Sequence, residues 1–230
     1  NPNIKIKGGN NVGGIIGKLY NGTLTGTYTP EFSTTNVIVS KIPRPIFPGN
    51  INSEKPYREN AASIGGIVGY ADKSTLRRLF TQLSIYGRRT VGGIIGQASC
   101  SSHCEFSNLV NYSDISSGSN YIGGIFGSMV AGTSVKINKV VNLGKISATN
   151  NVGGIIGKTS GKDIEVYDAA NFGVIQGIAG DKECGVGGIA GAAEDAIKID
   201  KSVKQECQVL WSRRYLGVCE ARGSTCPLLL

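Results

Sequence analysis

Histidine, methionine and tryptophan occur once each in 230 residues, and only 17% of the chain is charged. A single histidine excludes any His-rich metal centre. No run approaches the roughly 18 consecutive apolar residues of a membrane-spanning helix, so membrane insertion is not expected. Leucine is scarce, with 12 residues against 26 isoleucines and 17 valines. That balance argues against a helical bundle or coiled coil and for β-branched strands. Glycine is abundant instead, at 34 residues, about twice its usual share. With 40% hydrophobic residues the chain can bury a sizeable core.

Acids are outnumbered, 16 to 24, giving a net charge of +8 and pointing to acidic partners. Lys73, Arg77, Arg78, Arg88 and Arg89 form the densest basic group, and a second lies among Lys198, Lys201, Lys204, Arg213, Arg214 and Arg222. The plain reading of both is a solvated basic face. The first group lacks interleaved aromatics beyond Phe80 and Tyr86, so nucleic acid is not an expected partner. Acidic glycans are.

The six cysteines, Cys100, Cys104, Cys184, Cys207, Cys219 and Cys226, are even in number, and three crowd the end of the chain. That pattern reads as disulfides in an oxidising compartment, with pairing left open. Cys100-Ser-Ser-His103-Cys104 supplies only three of the four ligands zinc wants, so a disulfide is expected there and no metal or other cofactor. His103 has no supporting motif for a Ser-His-Asp triad. Asn21-Gly-Thr and Asn111-Tyr-Ser are glycosylation candidates that fit a secreted or cell-surface protein.

The strongest signal is internal repetition. Six hexapeptides of one type recur: Val12–Gly17, Ile64–Gly69, Val91–Gly96, Ile122–Gly127, Val152–Gly157 and Val186–Gly191. Their spacings are 52, 27, 31, 30 and 34 residues, a period near 30 with an insertion in the first interval. Upstream of the later copies Asn111, Asn142 and Asn171 hold one position. Ile4–Asn11 matches the stretch before Val152, so the chain opens in mid-repeat and reads as a fragment or processed product. Two or three short strands per unit cannot bury their own apolar face, whereas stacked units can. Stacking predicts Ile and Val columns, Asn hydrogen-bond ladders at the turns, and close backbone approach at the Gly pair. Thirty residues is too few for a propeller blade of about 40. The expected fold is all-β, a parallel β-helix or β-solenoid with one repeat per coil.

The pattern G-G-I-I-G, a polar stretch, then N-x-G-x-I resembles the GLUG repeat over about residues 4–195. That repeat occurs in bacterial surface proteins, including the non-catalytic part of IgA-specific metallopeptidases. The resemblance implies an extracellular scaffold without a defined active site. The zinc motif of those peptidases is absent here, so no catalytic residues are transferred.

The expected domains are a solenoid over 1–196 and a Cys-rich cap or docking segment over 197–230. Five of the seven prolines fall in Thr29–Tyr57, which is expected to leave the coil and not to supply a central strand. Pro43, Arg44, Pro45 and Phe47 there are partner-binding candidates, as are Arg77, Arg78, Arg88, Arg89 and Trp211. Asp163, Glu165, Asp168, Glu194, Asp195 and Asp200 are the acids that a carbohydrate-processing β-helix would use, with Asp163 and Glu165 on one strand face. The expected function is a non-catalytic extracellular structural or adhesive module of a larger surface or filamentous assembly. Its partners are other subunits or copies of itself; the alternative is a carbohydrate-binding or carbohydrate-processing β-helix.

Overall fold

The computed structural model describes residues 5–7, 10–27, 49–52, 63–118, 120–177 and 185–204. They wind into an all-β solenoid in which each repeat makes one turn and every strand pairs in parallel with its counterpart in the next turn. A turn carries four strands, not the two or three expected. The extra strands arise because the backbone bends sharply at the glycines and at left-handed residues, cutting what reads as one apolar run into two.

Four sheets form the walls. The first runs through Lys5–Lys7, Gly49–Asn52, Leu83–Gly87, Asp114–Ser117, Ile146–Ala148 and Ile175–Gly177. The second holds the start of each hexapeptide, at Val12–Gly13, Ser63–Gly65, Thr90–Gly92, Ile122–Gly123, Val152–Gly153 and Val186–Gly187. Its end opens the third, at Ile16–Tyr20, Val68–Asp72, Ile95–Cys100, Phe126–Ala131, Ile156–Gly161 and Ala190–Ala193. The fourth comprises Thr23–Thr25, Thr75–Thr81, Glu105–Asn111, Val135–Asn142, Ile164–Asn171 and Ile197–Asp200, with Val203–Lys204 also pairing on Ile164–Asn171.

Parallel register puts like on like. The first sheet stacks Ile6, Ile51, Ile85, Ile115, Ile146 and Ile175 in one column. The second stacks Val12, Ile64, Val91, Ile122, Val152 and Val186. Ile64, Ile85, Val91, Ile115, Ile122, Ile146 and Val152 are at most 2% exposed, and each contributes about 1.5–3 kcal/mol by leaving water. Phe106 and Phe126 meet edge to face across the lumen, with centroids 5.0 Å apart.

The hexapeptide is explained by its corner. Ile94 and Ile95 both point into the core, and both donate their N–H to the single carbonyl of Ile125, at 3.1 and 2.9 Å. Turning the chain that tightly leaves no room for side chains beside it. A Cβ on Gly92 would strike the Ile95 carbonyl, and one on Gly93 would strike the Gly124 carbonyl and the Asn111 amide. Opposite this corner runs the expected asparagine ladder. Asn111 Nδ2 donates to Asn142 Oδ1, and Asn142 Nδ2 to Asn171 Oδ1, each at 2.7 Å. Thr81 heads the column, its hydroxyl 2.9 Å from Asn111 Oδ1.

Three expectations are corrected. Gly49–Asn52 lies inside the proline-rich stretch yet is a central strand, flanked by Lys5–Lys7 and Leu83–Gly87. Pro48 and Pro56 bracket it and none falls within it, so no ladder donor is lost. The coil also runs past the boundary expected at 196, through Ile197–Asp200, because the alternating Ile197 and Ile199 continue the fourth sheet. Asn111 cannot serve as a glycan acceptor in the fold, since its amide is fully buried in the ladder.

Candidate functional site

Inward residues stack into columns, so their outward neighbours stack as well, one turn apart at about 4.8 Å. On the fourth sheet this yields a row of alternating charge, Glu105, Lys136, Glu165 and Lys198, in direct register. Lys136 Nζ and Lys198 Nζ each lie 3.8 Å from a Glu165 oxygen, and Arg77 pairs with Glu105. Such exposed pairs contribute at most about 1 kcal/mol each, so their effect is to set register and surface charge more than stability.

Lysines also lie over tyrosine rings of neighbouring turns. Lys18 lies over Tyr70, Lys73 over Tyr20 and Lys198 over Tyr167, each 5.4 Å from the centroid, and Lys158 lies 4.7 Å from that of Tyr121. Lys158 also pairs with Glu194. Its ammonium is held above the ordinary lysine range, chiefly by the bond to Glu194, against an opposing desolvation and with help from the Tyr121 hydroxyl. Hydrogen bonds to Tyr20 and Tyr167 raise Lys73 and Lys198 in the same direction.

The candidate arginines fall on two roles. Arg77 is engaged with Glu105. Arg78 and Arg88 are exposed at the ends of an alternating run in which Arg78, Phe80, Ser84, Tyr86 and Arg88 face outward while Leu79, Thr81, Ile85 and Gly87 face in. Phe80 and Tyr86 are each 39% exposed. Arg89 is half-buried beside this run. The sequence named these residues; Arg78 and Phe80 lie on the fourth sheet and Tyr86 on the first, with half-buried Gln82 and Leu83 at the corner between them.

Cys100 and Cys104 form a disulfide with Cα atoms 5.7 Å apart, at the corner between the third and fourth sheets. Both are buried in the core, while Ser101, Ser102 and His103 loop outward. The Asp72 carboxylate of the preceding turn, 8% exposed, accepts the Ser101 N–H at 3.3 Å and its hydroxyl at 3.1 Å. Among the described residues no three His, Cys, Asp or Glu side chains group as metal ligands.

The acids of the carbohydrate-processing reading are dispersed by the fold. Asp163, expected on one strand face with Glu165, sits instead in a left-handed corner at φ 58°, before the strand begins. Asp168 occupies the left-handed bend within that strand, at φ 50°. Glu165 lies between its two lysines, Glu194 holds Lys158, and Asp195 accepts the Gly161 N–H at 2.8 Å. Asp200 stands in register with Tyr167. Asn21 is exposed in a left-handed turn, an open position for a glycan. Pro43, Arg44, Pro45, Phe47, Cys184, Cys207, Trp211, Cys219 and Cys226 lie outside the described residues. The chain matches no family model, no curated protein and no solved structure.

Proposed function

We propose that this chain is a non-catalytic, extracellular repeat scaffold of the GLUG type, serving a structural or adhesive role within a larger assembly. The observation that carries the reading is the outward surface, where chemistry-bearing side chains are engaged turn to turn. Glu165 with Lys136 and Lys198 is the clearest case. A rod built this way displays side chains at a fixed step, and repeated weak contacts along it supply avidity. The buried Cys100–Cys104 disulfide and the open Asn21 sequon support an oxidising, secretory location.

A second reading, carbohydrate binding, is favoured by the outward run from Arg78 to Arg88. Two half-exposed aromatic rings between arginines suit a sugar chain bearing carboxylate or sulfate groups. One experiment addresses both. Beads coated densely with the protein, and the same protein free in solution, are applied to arrays of acidic and neutral glycans while newly formed reducing ends are assayed. The scaffold reading predicts retention of the beads, weak or absent retention of the free protein, and no reducing ends. Release of reducing ends, or beads that bind no glycan and no cell surface, contradicts it.

A further inference from the structure

The fourth sheet carries its charge in bands across the tube. Two outward positions of each turn hold it. One stacks Thr75, Glu105, Lys136, Glu165 and Lys198; the other, at the left-handed bend, stacks Arg78, Asn108, Lys139, Asp168 and Lys201. Where both positions of a turn are charged they agree in sign, and from one turn to the next the sign reverses. Arg78, with Arg77 beside it, is followed by Glu105, then Lys136 with Lys139, then Glu165 with Asp168, then Lys198 with Lys201. Asp200, between the last two lysines, departs from the pattern. The cations of the bend, Arg78, Lys139 and Lys201, are exposed.

Bands so close together act only at contact. Opposite signs lie one step of about 4.8 Å apart. That is inside the Debye length of about 8 Å at physiological salt, so the bands largely cancel for anything farther away. A polyanion laid along the sheet would meet Glu105, Glu165 and Asp168 between the cations. The pattern is complementary to a surface with the same step and the opposite phase, and the repeat itself supplies one. We propose that two copies of this chain pair face to face through the fourth sheet; the inference rests on the scaffold reading above, whose assembly it gives a first partner.

A two-fold axis along the strands, passing between Glu105 and Lys136, sets the phase. It reverses the direction of the tube and leaves each column facing itself. Arg78 then faces Asp168 of the second copy, Glu105 faces its Lys136, and each contact occurs twice. Lys139 meets Asn108 and Glu165 meets Thr75, so neither column opposes like charges. In the column between them Arg77 meets Tyr167 and Ser107 meets Asn138. Moving the axis to the neighbouring row sets like bands against like, so charge fixes the alignment. The contact is isologous and closes as a dimer. Charge pairs on an exposed face are individually weak, so the dimer is favoured by high protein concentration and low salt.

The test is sedimentation velocity on the full chain without reductant, over a range of protein concentrations. It is run at low salt and at about 1 M salt, where the Debye length falls to about 3 Å. Wild type is expected to form dimers and nothing longer at low salt, and to be monomeric at high salt. Asp168→Lys and Arg78→Asp each oppose like charges at both symmetric contacts. Each is expected to weaken the low-salt dimer by about tenfold or more. The bend already accepts lysine at 139 and 201 and aspartate at 168, and circular dichroism checks that each variant keeps its sheet content. An equimolar mixture of the two is expected to form heterodimers about as readily as wild type dimerises, because the substituted positions then face each other with opposite charge. Wild type that stays monomeric at low salt overturns the pairing. So does a dimer that persists at high salt, a single variant that dimerises undiminished, or a mixture without recovery. Monomeric wild type retained on an acidic-glycan column, and released by Lys139→Glu, overturns it in favour of a polyanion. Retention of monomeric protein on the densely coated beads removes the pairing and leaves the scaffold reading standing.

Discussion

Asn142 shows what a single residue does in this fold. Its amide donates to Asn171 Oδ1 at 2.7 Å and to the Gly144 carbonyl at 3.0 Å, and it accepts from Asn111 Nδ2 at 2.7 Å. The side chain is fully buried. Asn142→Leu keeps the branched shape but removes the partners of Asn111 Nδ2 and Asn171 Oδ1 and adds bulk, so it should cost about 3 kcal/mol in urea unfolding. Asn150 pairs with Asn120 at 2.9 Å in a partly exposed setting, and Asn150→Ala should cost under about 1 kcal/mol. Glycines divide in the same way. Gly93→Ala drives a methyl into the Gly124 carbonyl and should lose about 3 kcal/mol, whereas a Cβ at Gly118 meets nothing within 4 Å and should change stability by less than about 0.5 kcal/mol. The asparagine ladder was legible because three residues held one repeat position. Its first rung was not, because Thr81 makes the same contact with a hydroxyl. The sequon at Asn111 misled because a local triplet says nothing of side-chain direction, whereas the repeat alignment does.

Among the elements, corners carry more of the fold than the strands between them. The fourth-sheet strands bend at one repeat position, where Arg78, Asn108, Lys139, Asp168 and Lys201 all take φ near 50°. No shared residue type marks that position, and nothing in the sequence announced it. At the hexapeptide the close backbone approach of the Gly pair was legible, but not that the corner divides the hexapeptide between two sheets, which raises the strand count. The corner between the third and fourth sheets is pinned by Cys100–Cys104 and by the Asp72–Ser101 bonds. Closing so short a loop should contribute about 2 kcal/mol. Cys100→Ser with Cys104→Ser is expected to lower the denaturation midpoint accordingly without changing the far-ultraviolet spectrum. An unchanged midpoint would mean the corner is held by its hydrogen bonds alone.

At the scale of the whole molecule, the period made the architecture readable before any coordinate. A spacing of 52 residues and one of 27 both resolve to a single step along the tube, because Ile64 pairs with Val12 on one side and Val91 on the other. What the period could not convey was that Ile197–Asp200 extends a wall after the hexapeptides have stopped. Nor did it show which outward residues share a row, because that depends on the corners. The account stands on one geometric claim, that each repeat advances the same small distance whatever its length. Spin labels introduced at positions 18 and 158 by a non-thiol route test it directly, because four in-register steps separate those positions. A narrow distance distribution near 19 Å, allowing for the label arms, is predicted from about 4.8 Å per step. A broad distribution, or one centred far beyond that value, would contradict the solenoid and every functional statement built on it.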